Sequence, residues 1–205
     1  MAGLFPLFLK LKKRKCLMVG AGEIGEVKIA GLLAAGADVH VVAPKATKQV
    51  KKWAREGRLR WLHREFRDSD LVECLLVVAA TSSGKLHKRI SRLARRRGAL
   101  CNVVDVPELC DFYYPAVVRR GALQIAVSTG GESPALAQRL RKKLEQEYGP
   151  EYEAWLRQLG KSRRKLSAIS RDLSERKTKL HALASEESFQ TFLRKRSVVC
   201  GKKKR

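Results

Sequence analysis

The stretch KCLMVGAGEIG, Lys15 to Gly25, decides the fold. It opens as a short apolar run, which reads as a buried strand. It then turns through glycine and enters a helical pattern at Val27, Ile29, Ala30, Leu32 and Leu33, stopped by Gly36. Gly20, Gly22 and Gly25 stand in G-x-G-x-x-G spacing. In a strand–turn–helix setting each glycine has a task. The first permits the tight turn, the second lets backbone approach a pyrophosphate, and the third lets helix and strand pack closely. The helix start offers backbone N–H groups and the positive end of the helix dipole to phosphates. The spacing favours a dinucleotide site over a merely structural glycine turn.

Outward from this stretch the same alternation repeats. Asp38 to Ala43, DVHVVA, reads as a second strand ended by Pro44, and Thr47 to Glu56 as a helix. Leu59 to Leu62 reads as a short strand, Leu75 to Ala80 as a fully apolar one, Leu86 to Arg97 as a basic helix ended by Gly98, and Leu100 to Val104 as another strand. Continuously apolar strands alternating with helices predict a parallel sheet covered on both faces. Ligands of such sheets bind at the carboxyl ends of the strands, here Gly20, Ala43, Ala80 and Asp105. After Phe112 the pattern changes to two short strands, Ala116 to Val118 and Leu123 to Val127, around the turn RRGA. An amphipathic helix follows from Ala135 to about Tyr148, and Gly149-Pro150 marks a boundary. Leu156, Leu159, Leu166, Ile169 and Leu173 then suggest helices with a basic outer face, a last helix starts near Ser185, and the closing GKKKR reads as a disordered tail. The fold class expected is α/β: a Rossmann-type parallel sheet (residues 1–113), a small α+β region (114–150) and a helical C-terminal region with a basic tail (151–205).

The 205 residues carry a formal charge of +24, which points to an anionic partner. Residues 101–150 are electrically neutral, so the excess sits outside them. The five cysteines form no C-x-x-C and their number is odd, which fits a reducing compartment rather than a disulfide framework or zinc site. The run LFPLFL (Leu4 to Leu9) is too short for a signal-peptide core, and no apolar run reaches the length of a membrane span. The expectation is a cytoplasmic protein with no membrane association. The four histidines lack metal-ligand spacing, so no metal site is expected. The three tryptophans do not interleave with the basic runs as a base-stacking surface would, so no motif supports nucleic acid.

Several residues carry two readings each. The Rossmann fingerprint usually places an acid at the tip of the second strand for a ribose hydroxyl. Here the tip is Ala43-Pro44-Lys45, and Lys45 suits either a 2′-phosphate or plain solvent, leaving NAD against NADP open. Thr81, followed by Ser82 and Ser83, suits a ribose or nicotinamide contact and equally a turn. Asp105, at the tip of CNVVD, suits a general base, a metal ligand or a turn residue before Pro107. Thr129, Gly130 and Gly131 precede an N-cap at Ser133 and Pro134 at the first helical position, and two glycines exceed what a cap needs, which favours an anion nest.

Taken together, LFPLFLKLKKRKCLMVGAGEIG and NVVDVPELCDFYYPAVVRRGALQIAVSTGGESPALAQRLR resemble the precorrin-2 dehydrogenase and sirohydrochlorin ferrochelatase family, the N-terminal module of siroheme synthase. The resemblance runs from Leu4 to about Leu144. It implies oxidation of precorrin-2 to sirohydrochlorin with NAD as acceptor, in a homodimer built through the region after the sheet. It implies Asp105 as the key acid and general base, with Glu23, Ile24, Pro44 and Lys45 as cofactor contacts. Asn102 and Val103 would lie beside the nicotinamide and Thr129 in the tetrapyrrole cleft. The family's second strand lacks the acid too, so by this resemblance its absence does not argue for NADP. Iron insertion is left open. A non-catalytic dinucleotide-sensing module and a basic nucleic-acid-binding protein are the alternatives.

Overall fold

The computed structural model describes residues 3–169 and 172–201. Of the closing tail expected to be disordered, residues 202–205 lie outside the described ones. The chain divides into two compact units, Met1–Tyr113 and Tyr114–Arg205.

In the first unit, β1 (Lys15–Ala21), α1 (Glu23–Ala34), β2 (Asp38–Ala46), α2 (Lys48–Arg55), β3 (Arg60–Leu62), β4 (Leu76–Ala79), α3 (Gly84–Arg96) and β5 (Leu100–Val103) follow in order. The five strands are parallel and lie side by side as β3-β2-β1-β4-β5. Alternate residues of each strand feed opposite faces. Cys16, Met18, Val39, Val41 and Val78 meet Ile29 and Leu32 of α1 and Val50 and Trp53 of α2. Leu17, Val19, Val42, Val77, Ala79 and Cys101 meet Ile90 and Ala94 of α3. Both faces are therefore buried, which is why the strands read as unbroken apolar runs. Cys16 and Cys101 are core residues. Burial, their largest influence, pushes their thiols up to about 11 and about 12, so both stay protonated and unreactive at neutral pH.

One strand end differs from expectation. β2 runs through Pro44 to Ala46. Val42 pairs with Val19 and Ala46 with Ala21, so Ala43, Pro44 and Lys45 bulge opposite Gly20 alone. A proline breaks no ladder at such a bulge, because its missing N–H has no partner to lose there.

β5 is an edge strand, and the segment after it folds back to cover that edge. Asp111 donates its backbone N–H to the carbonyl of Cys101 (2.7 Å) and accepts from the Cys101 N–H through Oδ2 (3.0 Å). Arg95 holds Oδ1 at 3.0 Å. The Cys110 thiol accepts from Val103 N–H (3.2 Å), and Asn102 donates Nδ2–H to the Phe112 carbonyl (2.9 Å). The C-D-F triplet thus serves as a surrogate strand, satisfying backbone groups that would otherwise stand open. Asp111→Ala is expected to lower stability by about 1–3 kcal/mol, because it strands the Cys101 N–H. Equilibrium urea unfolding measures this, and an unchanged midpoint would remove the staple.

In the second unit, β6 (Ala116–Arg120) and β7 (Leu123–Val127) form an antiparallel hairpin, followed by α4 (Pro134–Glu147), α5 (Glu151–Ile169), α6 (Leu173–Leu183) and α7 (Glu186–Gly201). Arg120 donates to the carbonyls of Glu145 (2.9 Å) and Tyr148 (2.8 Å), tying the hairpin to the carboxyl end of α4, where a cation suits the helix dipole. Tyr152 and Trp155 of α5 pack their rings on Phe189 of α7 at 4.5 and 4.6 Å between centroids. Among the described residues no helix is long and apolar enough to cross a membrane.

Candidate functional site

The order β3-β2-β1-β4-β5 reverses direction between β1 and β4, and the crevice beyond the carboxyl ends there is where such sheets bind ligands. The glycine loop occupies that point. Gly20 has φ +99°, in the region that favours glycine, and a Cβ on it would collide with the carbonyl of Ala80 at the end of β4. Gly25 has ordinary helical backbone, but a Cβ there would stand 2.7 Å from the Gly20 carbonyl oxygen and 3.2 Å from Met18 Cε. These two glycines are demanded by the protein's own packing.

Gly22 is not. Its φ is −76°, and a Cβ would meet nothing within 4 Å. It is exposed and is the N-cap of α1, with no side-chain cap on the helix's first N–H groups. The loop therefore keeps an open cradle over an uncapped helix N-terminus, a fit for the diphosphate of a dinucleotide. Glu23 and Ile24 flank it, both exposed.

A cavity of about 830 Å³ opens beside the loop. Its walls include Val19 and Gly20 of β1, Val42, Ala43 and Pro44 of β2, Phe66, Thr81 to Ser83, and the side of α3 that carries Lys88 and Arg92. Lys45, next to Pro44 in the bulge, is exposed. The cavity wall at Phe66 is braced by Arg64, whose guanidinium holds the buried Asp70 at 2.6 and 2.9 Å. Burial raises the Asp70 pKa, but Arg64 and the Arg67 N–H outweigh it and leave the carboxyl below its usual value.

Thr81 lines the cavity, yet its hydroxyl is engaged: Oγ1 lies 2.9 Å from Nε2 of the buried His87 and accepts from Ser83 N–H at 3.4 Å. His87 therefore shapes the β4–α3 turn, a role the histidine spacing could not reveal. Asn102 and Val103 are buried in β5, and the Asn102 amide is committed to Phe112.

Asp105 is exposed, in the turn directly after β5, with φ +61°. Parallel strands bring it to the same edge of the sheet as the glycine loop, although it does not line the cavity just described. Val104 before it packs into the core under α1. Burial lowers the pKa of Lys28, in the second turn of α1, and the charge of Asp105 opposes that shift. The acid thus sits on the α1 side of the edge, and the cavity on the α3 side.

Thr129, Gly130 and Gly131 belong to the second unit. Gly130 (φ +65°) and Gly131 (φ +94°) both lie in the glycine-favouring region, so the turn itself accounts for the pair. Thr129 Oγ1 accepts from the Ser133 N–H at 3.1 Å, and Ser133 Oγ caps Leu136 N–H at 3.2 Å.

Comparison with known proteins agrees with this geometry. A family model described as "Putative NAD(P)-binding" matches residues 7–116, more than half of the chain. The chain belongs to that NAD(P)-binding family. A second model, described as "Sirohaem biosynthesis protein central", matches residues 120–147. Within this NAD(P)-binding family setting, the chain is 41% identical over 140 residues to a siroheme synthase of Nitrosococcus oceani, covering 68% of this chain and 30% of that protein. It is 45% identical over 140 residues to siroheme synthase 1 of Cronobacter sakazakii, with the same coverage. The chain thus spans about a third of the length of these curated relatives. A solved structure titled "SirC, precorrin-2 dehydrogenase" superposes with a TM-score of 0.81 at 26% identity, covering 98% of this chain and 100% of that one. The Rossmann-type first unit and the helical C-terminal region are shared with it.

Proposed function

We propose that this protein is an NAD-dependent dehydrogenase that oxidises precorrin-2 to sirohydrochlorin. The observation that carries the reading is the open cradle at Gly22, set at the switch point of a sheet whose whole chain superposes on a precorrin-2 dehydrogenase. The loop built by Gly20 and Gly25 would receive the diphosphate over the open Gly22, with Glu23 and Ile24 beside it and Pro44, Lys45 and Thr81 toward the adenosine end. Bound NAD⁺ would supply the hydride acceptor and leave as NADH. Asp105 would take the proton released as the macrocycle is desaturated. Asn102 and Val103 act beneath this edge by fixing the strand that delivers the acid. Thr129, Gly130 and Gly131 would form the turn that receives substrate carboxylates, with the Gly130 N–H already steadied by Ser128 Oγ at 3.2 Å.

A cytoplasmic homodimer completes the reading. The buried, protonated thiols suit a reducing compartment. Among the described residues β6 and β7 have no third strand, and a two-stranded sheet gains from further pairing or packing.

The test is direct: purified protein is mixed with precorrin-2 and NAD⁺ under anaerobic conditions. NADH and the sirohydrochlorin spectrum should rise together in equal amounts. Absence of both rejects the assignment.

A further inference from the structure

The first turn of α3 carries a buried histidine directly behind a residue that lines the cavity. His87 is that histidine, and its Nε2 meets two groups of Thr81. The Thr81 backbone N–H donates to it at 3.4 Å, and the Thr81 hydroxyl oxygen lies 2.9 Å away. A backbone N–H can only donate, so the imidazole nitrogen that receives it is bare and the ring proton sits on Nδ1. A bare nitrogen can only accept. The hydroxyl is therefore the donor across the 2.9 Å contact.

The rest of the Thr81 side chain is held as well. Its methyl faces the glycine loop, 3.2 Å from where a Cβ on Gly20 would stand. Its oxygen accepts from the Ser83 N–H at 3.4 Å, and Ser83 Oγ in turn caps α3 by accepting from the Leu86 N–H at 3.3 Å. A hydroxyl has one hydrogen and two lone pairs. His87 takes the hydrogen and the Ser83 N–H takes one lone pair. One lone pair remains, on a side chain that lines the cavity. Thr81 thus offers a ligand an acceptor and no donor, whereas an unengaged threonine hydroxyl would serve either partner. Within a dinucleotide the ribose hydroxyls can donate to it. The diphosphate oxygens only accept, and so cannot.

We infer that His87 is a positioning residue of the dinucleotide site: it draws the Thr81 hydroxyl proton inward, so that the turn after β4 accepts a hydrogen bond from a cofactor hydroxyl and turns the phosphates away. The inference rests on the dinucleotide reading of the cavity given above. It gives the two neighbouring strand ends opposite hydrogen-bonding sense. The uncapped start of α1 after β1 offers N–H donors to the diphosphate, and the turn after β4 offers only an acceptor. A cofactor shifted along the sheet edge would set phosphate oxygens against the Thr81 lone pair, and that mismatch fixes its register.

The experiment is a double-mutant cycle on NAD⁺ binding by the full chain, with Thr81→Val, His87→Leu and the pair, read by calorimetric titration. Each single variant should weaken NAD⁺ binding about three- to tenfold. The pair should bind no more weakly than Thr81→Val alone, because His87 acts through that hydroxyl. His87→Gln, whose side-chain carbonyl can take the same Thr81 donors, should restore affinity to within about twofold of the parent protein. Long-range proton–nitrogen NMR of the parent protein reads the tautomer without any substitution, and His87 Nε2 should carry no hydrogen. A hydrogen on Nε2 would overturn the inference whether or not the variants fold. Additive losses in the pair, or a His87→Gln protein as weak as His87→Leu, would overturn it while leaving the dehydrogenase reading intact. A parent protein that binds no NAD⁺ would instead reject the dinucleotide reading, and the inference with it.

Discussion

Gly22→Asp should abolish dinucleotide binding in a protein that still folds. The backbone at this position is ordinary, with φ −76°, and nothing lies within 4 Å of where a Cβ would be. Aspartate is moreover a favoured N-cap residue, so α1 should be held as firmly as before, or more so. The only occupant that suffers is an anion over the loop. A fixed carboxylate against a diphosphate costs several kcal/mol, so affinity should drop by about 100-fold or more. Gly20→Ala and Gly25→Ala make the contrast, because their Cβ atoms would press on the Ala80 and Gly20 carbonyls. Those variants should lose stability, by roughly 1–3 kcal/mol at Gly25. Thermal unfolding paired with titration separates the two classes. A Gly22→Asp protein that binds NAD⁺ normally would refute the loop assignment.

The contrast among the three glycines shows what a sequence can and cannot say. Their spacing placed a strand, a turn and a helix correctly, because an apolar run, a tight turn and a 3.6-residue period are local properties. Spacing alone does not tell which glycine serves the fold and which the ligand. That distinction needs Ala80, which meets Gly20 only once β1 and β4 pair as neighbours. The strand order was equally hidden, since nothing in the β4 segment names β1 as its partner. The expected end of β2 at Pro44 failed for the same reason: proline is excluded from a regular ladder, and the bulge that tolerates it is a property of the pair β1–β2.

The candidate site divides along the same line. Pro44, Thr81 and Gly20 were legible as strand tips, and one cavity gathers them. Glu65 and Phe66 were not, because they come from a loop with no motif of its own. His87 gives no signal in the sequence, because its partner is the Thr81 hydroxyl rather than a second ligand at metal spacing. Gly130 and Gly131 both stand at positive φ, a conformation that the turn requires and that an anion nest shares, so the backbone angles leave the nest reading of the pair where the sequence put it. Asp111 stood in plain view within C-D-F, yet its work on the edge of β5 depends on a chain reversal that the triplet does not announce.

Asp105→Asn is the second large effect expected. The residue sits at φ +61°, a conformation that asparagine tolerates nearly as well as aspartate and alanine does not. Asparagine therefore removes the proton acceptor and keeps the turn, whereas Asp105→Ala would add about 1–2 kcal/mol of backbone strain. A positioned general base contributes about 10²–10⁴-fold, so kcat for precorrin-2 oxidation should fall by that range while the Kd for NAD⁺ stays within about threefold. The amine of Lys28 supplies an internal check. Burial already lowers its pKa and the Asp105 charge opposes this, so neutralising Asp105 should lower it further. A shift of the Lys28 signal to lower pH in an NMR titration would show that the two groups share one electrostatic environment at the α1 side of the sheet edge. Turnover in Asp105→Asn within twofold of the parent protein would take the proton-accepting role away from this residue. The dinucleotide site, which stands on Gly22 and not on Asp105, would be untouched by that result.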